Sequence, residues 1–282
     1  VNEGARRFAA LLGAGGMVTA PGVYDGLSAR LAAESGAQAL YLTGYGVSAS
    51  LLGQPDAGFL ERPHMLDRIE RLTGAAQVPL LVDADTGFGD VAETVRAYER
   101  VGAAAIQLED QRFPKRCGHT PGREVVPLSE AEDRIKAALD ARRDSAFQII
   151  ARTDARTSHG LAAAIERAQA FHELGADILF VESPESVEEL AAIARAIPGA
   201  KMLANMVAGG RTPFLAPRKL EALGFAVAIY PVMGLAASAA ALQAAYTGLA
   251  SGAPDTSAHM PFADVNSAVG FEAIWAEDAM KG

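Results

Sequence analysis

The sequence predicts an α/β chain folded as a single (β/α)8 barrel, and three observations predict it. Short apolar runs alternate with helical patterns along nearly the whole chain, the signature of a parallel sheet with crossover helices. Several helices end on one repeated phrase, E-S-G-A, R-V-G-A, E-L-G-A or E-A-L-G, and each leads into the next apolar run. Polar residues come directly after the apolar runs, at the rim on which barrels of this type build their active sites. A doubly wound open sheet is the rival architecture; eight regular units favour closure.

In chain order, residues 1–16, with Arg6 and Arg7 ahead of Phe8–Leu12, predict a small amphipathic helix that covers one end of the core. The strands are Met17–Ala20, Ala39–Leu42, Pro79–Val82, Ala105–Leu108, Phe147–Ala151, Ile178–Val181, Met202–Ala204 and Ala226–Tyr230. The helices between and after them are Asp25–Ser35, Pro63–Ala75, Val91–Val101, Ser129–Arg142, Leu161–Leu174, Val187–Ala196, Pro217–Leu223 and Met233–Leu249. Asp90 is placed as an N-cap. Ser129 with Glu132, and Ser186 with Glu189, have capping-box spacing. Gly36, Gly102, Gly175 and Gly224 come just after helical runs, where a left-handed stop needs glycine. Gly252–Pro261 reads as a linker to a final helix, Asp264–Met280. The organisation is therefore a barrel over 1–251 and a helical extension over 252–282, the latter an expected oligomer contact.

The bulk composition narrows the function. The chain has 282 residues and a net charge of −9, with no basic run, which argues against a nucleic-acid surface. No uninterrupted apolar stretch of about 18 residues suggests a membrane span. The first 16 residues are too short and too weakly apolar for a signal peptide. The single cysteine, Cys117, makes no internal disulfide, and a reducing, cytoplasmic setting is the simpler reading.

The residues at the C-terminal end of each apolar run carry the chemistry. After Leu42 stand Thr43, Gly44, Tyr45 and Gly46; after Val82, Asp83 and Asp85; after Leu108, Glu109 and Asp110. Ala151 leads to Arg152, Val181 to Glu182, and Ala204 to Asn205. In extended backbone, Asp83 and Asp85 point to the same side. With Glu109 they form an oxygen-rich anionic patch, suited to Mg2+, which takes one or two carboxylates and keeps several waters. The alternative is that these are solvated acids or helix caps. The loop Lys115-Arg116-Cys117-Gly118-His119 is the second feature. A lone cysteine is usually an inert small hydrophobe, but cationic neighbours favour the thiolate and make this thiol a candidate acid or base. Phe113–Val125 is expected to close over the substrate. His64, His159, His172 and His259 have no partner spacing and carry no role. Gly209-Gly210 is either an anion-binding nest or a plain turn.

With these motifs in place, the residues resemble the isocitrate lyase / phosphoenolpyruvate mutase superfamily. The resemblance runs from V-Y-D-G-L-S-A-R at Val23 to A-I-Y-P at Ala228. Its most specific pieces are T-G-Y-G-V-S at Thr43, L-L-V-D-A-D-T-G-F-G at Leu80, Q-L-E-D-Q at Gln107 and P-K-R-C-G-H at Pro114, with A-R-T-D-A at Ala151 and N-M-V-A-G-G-R-T-P at Asn205. It implies a barrel whose eighth helix is exchanged between subunits, usually in a dimer of dimers. It also implies Asp85 as the direct Mg2+ ligand (Mn2+ being a possible substitute), with Asp83 and Glu109 acting mainly through water. Asp56 matches an acidic residue on the gating loop. Thr43, Gly44, Tyr45 and Gly46 match the segment that holds a substrate carboxylate, and Arg152 the arginine that clamps the substrate acid. Glu182, Asn205, Gly118 and Thr212 fall on further substrate contacts. Cys117, flanked by Lys115 and His119, matches the acid/base thiol of the lyases.

Departures from the pattern narrow the choice. The phosphonate-forming mutases and related hydrolases carry Asn in place of Cys117, and the oxaloacetate decarboxylases lack the cysteine. Isocitrate lyases proper are much longer. There remain the short carbon–carbon lyases acting on 2-methylisocitrate or on alkylmalates such as 2,3-dimethylmalate. Thr120 stands where methylisocitrate lyases commonly have a basic residue, which weakens the case for a tricarboxylate and keeps dimethylmalate-type substrates open. The expected substrate is a 2-hydroxy di- or tricarboxylate, cleaved to pyruvate or a related 2-oxo acid and a second carboxylate. An oxaloacetate decarboxylase or a phosphonopyruvate-type enzyme on the same metal site is the alternative, and a non-catalytic barrel is the rival from another class.

Overall fold

In the computed structural model, which describes residues 2–118, 120 and 122–281, eight parallel strands close into a barrel in sequence order, the last pairing with the first. The strands are β1 (Val18–Val23), β2 (Leu40–Leu42), β3 (Leu80–Asp83), β4 (Ala105–Glu109), β5 (Gln148–Thr153), β6 (Ile178–Val181), β7 (Met202–Asn205) and β8 (Phe225–Tyr230). The helices are α1 (Glu3–Ala14), α2 (Gly26–Glu34), α3 (Gly44–Val47), α4 (Arg62–Ala75), α5 (Val91–Arg100), α6 (Leu128–Ala141), α7 (Ala155–Glu173), α8 (Val187–Ala196), α9 (Pro217–Ala222), α10 (Met233–Ala250), α11 (Phe262–Ala268) and α12 (Phe271–Lys281). The closed barrel predicted from the sequence, and not the rival open sheet, is what forms.

Strand alternation builds two cores from one sequence. Residues facing inward form one cluster with Leu81, Ala105, Ile150, Ile178, Phe180, Leu203, Val227 and Ile229, closed from below by Phe8 and Leu12 of α1. Their neighbours Leu80, Val82, Ile106, Leu108, Ile149 and Ala151 face outward against the helices. The inward rows then change character toward the C-terminal ends. Two residues beyond Leu81 comes Asp83; beyond Ala105 come Gln107 and Glu109; beyond Ile150, Arg152; beyond Phe180, Glu182; beyond Leu203, Asn205. The period of two thus carries the polar residues to the top of the same inner face.

Several expectations need correction. β1, β3, β4, β5 and β7 run past their apolar stretches to Val23, Asp83, Glu109, Thr153 and Asn205. Asp83, Glu109 and Asn205 close inward-facing rows, whereas Thr153 points outward and donates to Asp110 at 2.6 Å; the ladder continues through all four. Ser129 does not cap α6: the helix starts a residue earlier, after Pro127, and has no side-chain cap. Ser186 accepts from the Glu189 amide at 3.1 Å, but the Glu189 carboxylate pairs with Arg156 instead of returning to the cap. α7 begins at Ala155, ahead of the predicted Leu161, with Gly160 left-handed at φ 86° between two helical stretches. The final helix is two, α11 and α12, parted at Gly270 (φ 87°). Asp90 caps α5 as expected, accepting from the Glu93 amide at 2.9 Å.

Candidate active site

A cavity of about 440 Å3 opens at the C-terminal rim. Of the residues singled out in the sequence, it is lined by Thr43, Tyr45, Asp56, Asp83, Cys117, Gly118, Thr120, Arg152, Glu182, Asn205, Gly209 and Gly210. Asp85, Glu109 and Lys115 are buried beside it. Gly44 and Gly46 support it from the α3 turn, where Thr43 caps the helix by accepting from the Gly46 amide at 3.3 Å. Thr212 is buried, its hydroxyl has no hydrogen-bond partner among the described residues, and it does not line the cavity. His119 lies outside the described residues. Gly209-Gly210 is a turn, the Gly210 amide donating to the Val207 carbonyl at 3.0 Å.

The acidic patch forms, but not by the expected route. β3 ends at Asp83 and Asp85 takes a left-handed φ of 48°, so the two aspartates do not share an extended backbone. They converge because the chain folds back after the strand: the Asp85 amide donates to Asp83 Oδ1 at 3.1 Å. Gly44 makes room, since a Cβ there would sit 2.9 Å from Asp83 Oδ2. Beneath, Gln107 Nε2 donates to Asp83 Oδ1 at 3.4 Å, and Gln107 Oε1 accepts from the Tyr41 hydroxyl at 3.1 Å. Lys115 reaches Asp56 and Asp85, lying 2.6 Å from Asp85 Oδ1. This loop cation is therefore spent on the acidic patch, and the expectation that it would flank the thiol does not describe its position.

Burial shapes the charges. It pushes the Asp85 carboxyl up to about 7 against the pull of Lys115, with Asp83 and Asp56 adding repulsion. It pushes Glu109 well above the carboxylate range, against Arg152. Burial alone would lower Lys115, but Asp85 and Asp56 outweigh it and hold the ammonium high. Among the described residues the carboxyl groups Asp56, Asp83, Asp85, Glu109, Asp110, Asp154 and Glu182 outnumber the buried cations Lys115, Arg123, Arg152 and Arg167. Glu109 Oε1 is buried and has no hydrogen-bond partner among the described residues. Such a donor set fits a hard divalent cation. Among the described residues no three His, Cys, Asp or Glu side chains gather closely enough to wrap an ion.

Arg152 is fixed from several sides. Its Nε and Nη2 donate to Asp154 at 2.8 and 3.0 Å, and Nη1 and Nη2 lie 3.3 and 3.4 Å from Glu109 and Glu182. Its guanidinium stands 5.2 Å from the Phe180 ring centre. Asn205 donates to Glu182 Oε2 at 3.0 Å.

The Cys117 loop lies directly on this pair. A Cβ on Gly118 would fall 2.6 Å from Glu182 and 2.7 Å from Arg152 Nη2, so only glycine permits the approach. Ser183 Oγ donates to the Gly118 carbonyl at 2.7 Å, and Arg123, from the end of the loop, donates to Asp154 at 2.8 Å and also bonds Thr157. Asp110 completes the support, accepting from Thr153, the Asp154 amide and Arg167.

Asp154, Arg123, Ser183 and Gln107 were missed in the sequence. Asp154 had a signal in its place two residues after Arg152. Ser183, with a left-handed φ of 59°, had none, because nothing in an E-S-P phrase marks a strained hinge under a loop.

Comparison with known proteins points the same way. Residues 8–250 match the family model described as phosphoenolpyruvate phosphomutase. The chain is 47% identical to the 2,3-dimethylmalate lyase of Eubacterium barkeri over 278 residues, covering 96% of this chain and 95% of that one. It is 42% identical to the 2-methylisocitrate lyase of Bacillus subtilis, covering 86% and 80%. Among solved structures, an oxaloacetate acetylhydrolase in complex with the inhibitor 3,3-difluorooxalacetate superposes with a TM-score of 0.94 at 37% identity, covering 99% of this chain and 97% of that one.

Proposed function

The chain belongs to the phosphoenolpyruvate phosphomutase family, and on that premise we propose that it is an Mg2+-dependent carbon–carbon lyase cleaving a 2-alkyl-2-hydroxy dicarboxylate of the alkylmalate type to pyruvate and a second carboxylate. The observation that carries the reading is the placement of Cys117 and Arg152 on the same cavity as the charge-deficient acidic patch. Asp85 would hold the cation directly, with Asp83 and Glu109 acting through water. Bound there, it supplies Lewis acidity toward a 2-hydroxyl and its neighbouring carboxylate.

This chain's own residues account for the rest. The substrate hydroxyl gives up its proton, for which Tyr45 on the cavity wall is the candidate acceptor. The C2–O bond becomes a carbonyl as the C2–C3 bond breaks, and the electron pair passes to C3 and its carboxylate. Arg152, held rigid by Asp154, and Asn205 face that developing charge. The Cys117 thiol then donates its proton to C3, releasing the second acid. Gly118 and Ser183 keep the loop seated so that water does not reach C3.

The test is to incubate the enzyme with Mg2+ and separately with 2,3-dimethylmalate, 2-methylisocitrate, isocitrate, oxaloacetate and phosphonopyruvate, and to identify products by NMR. Pyruvate with propionate is the expected result. The likeness to the oxaloacetate acetylhydrolase favours a second reading, hydrolysis of oxaloacetate; consumption of oxaloacetate alone would establish it in place of the first.

The same family premise supports a homo-oligomer in which α10 packs on a partner. No residue of this 18-residue apolar helix is buried, and Leu242, Tyr246 and Leu249 stand exposed. An apolar groove of about 610 Å3 between α2 and α9, touched by Ala32, Phe214 and Leu215, lies where an eighth barrel helix would pack. Light scattering should give a tetramer, and a monomer would refute the exchange.

A further inference from the structure

We infer that the first turns of α10 form the subsite for the substituent on C3, and that this subsite takes a small alkyl group and rejects a third carboxylate. The inference rests on the lyase reading and adds its specificity determinants. The two substrate types differ only at C3, which bears a methyl group in 2,3-dimethylmalate and a carboxymethyl group in 2-methylisocitrate.

The cavity lining divides by chemistry. Strands β2, β3, β5, β6 and β7 contribute Thr43, Asp83, Arg152, Glu182 and Asn205 at or just beyond their ends. Tyr45, Asp56 and the Cys117 loop continue this polar side, and the opposite, apolar wall comes from β8, the loop after β7 and the start of α10, chiefly Val207, Ile229, Pro231, Leu235, Ala236 and Ala239. Leu235 and Ala239 are four apart, hence on one face of the helix. Among the described lining residues Arg152 is the one cation, and Asp154, Glu109 and Glu182 already surround it. The Thr120 hydroxyl donates to the Cys117 carbonyl at 2.8 Å, and the Gly210 amide is used within its own turn. A dicarboxylate can place its two acid groups at the metal patch and at Arg152 with Asn205. A third, directed at the apolar wall, would meet no charge among the described residues there, which is costly.

The wall is built into the fold. Gly22 has no side chain because the chain leaving β8 passes directly over it: a Cβ there would lie 2.1 Å from the Pro231 carbonyl oxygen. That crossing swings α10 onto the rim, and the Tyr24 hydroxyl donates to Ser238 Oγ at 2.9 Å to fix it.

The experiment measures kcat/KM for 2,3-dimethylmalate, 2-methylmalate and 2-methylisocitrate with the wild type, Leu235→Ala and Ala239→Arg. Thermal stabilisation by oxalate with Mg2+ serves as the control, since oxalate has no C3 substituent and should bind all three proteins alike. For the wild type, loss of the C3 methyl should lower kcat/KM about tenfold or more, within the range for one methyl in an apolar pocket. Leu235→Ala should shrink that ratio toward one, and Ala239→Arg should raise kcat/KM for 2-methylisocitrate relative to 2,3-dimethylmalate. Unchanged ratios in both variants, or a wild type that prefers 2-methylisocitrate, overturn the inference and leave the lyase intact. Failure to release pyruvate from any of the three acids removes the lyase reading itself.

Discussion

Asp154 is wholly buried and accepts three charge-assisted hydrogen bonds, from Arg152 Nε, Arg152 Nη2 and Arg123 Nη1 at 2.8, 3.0 and 2.8 Å. Asp154→Asn keeps the shape but removes the charge and turns one acceptor into a donor facing a guanidinium. Stripping one partner from a buried ion pair costs about 3–5 kcal/mol. For a chain of 282 residues that is a fall in Tm of about 5–8 °C. The pH dependence has a definite sign. Burial alone would raise the Asp154 carboxyl, but Arg152 and Arg123 outweigh it and hold it below the ordinary range. Its stabilisation is therefore complete above the unfolded Asp value of about 3.9 and is lost as pH falls through the lower folded value. The deficit of the variant should be full at pH 7 and should narrow below about pH 4. Turnover should fall as well, since displacing a clamp by about 1 Å can cost about a hundredfold. Scanning calorimetry at both pH values and steady-state kinetics read these effects. A Tm within about 2 °C of wild type, roughly 1 kcal/mol on the same scale, together with unaltered kcat, would show that Asp154 neither stabilises the fold nor holds Arg152 in place.

The acidic patch carries two further outcomes. Asp85→Ala should abolish the Mg2+-dependent thermal stabilisation by oxalate, and an undiminished shift would remove Asp85 from the metal site. Because the Asp85 carboxyl is raised to about 7 by burial, it must lose a proton before it can serve as a ligand. Apparent Mg2+ affinity should therefore climb with pH up to about 7 and level off above it; calorimetric titration showing a flat profile from pH 6 to 8 would contradict that coupling.

The barrel was legible because the apolar runs and the glycine stops repeat, and each signal is local. Most of the rim was legible for the same reason: Asp83, Glu109, Arg152, Glu182 and Asn205 close an inward-facing row whose earlier members are apolar. The features that escaped depend on contacts across the chain. Asp154, Arg123 and Ser183 act only because a loop between β4 and α6 comes to rest on β5 and β6, and sequence spacing does not encode that approach. The direction of Lys115 was misjudged on similar grounds. Its neighbours in the chain are Arg116 and Cys117, while its partners in space are Asp56 and Asp85, 59 and 30 positions away. The left-handed Asp85 shows a limit of periodicity, which assumes a strand where the strand has just ended.

The most direct test is to run the reaction in D2O with Mg2+ and 2,3-dimethylmalate, following wild type and Cys117→Ser by NMR. The account predicts pyruvate and propionate in equal amounts from the wild type, the propionate carrying one deuterium at the carbon that was C3. It also predicts that the variant loses most turnover while still binding oxalate with Mg2+. Full activity in Cys117→Ser, or no propionate from the wild type, would contradict it.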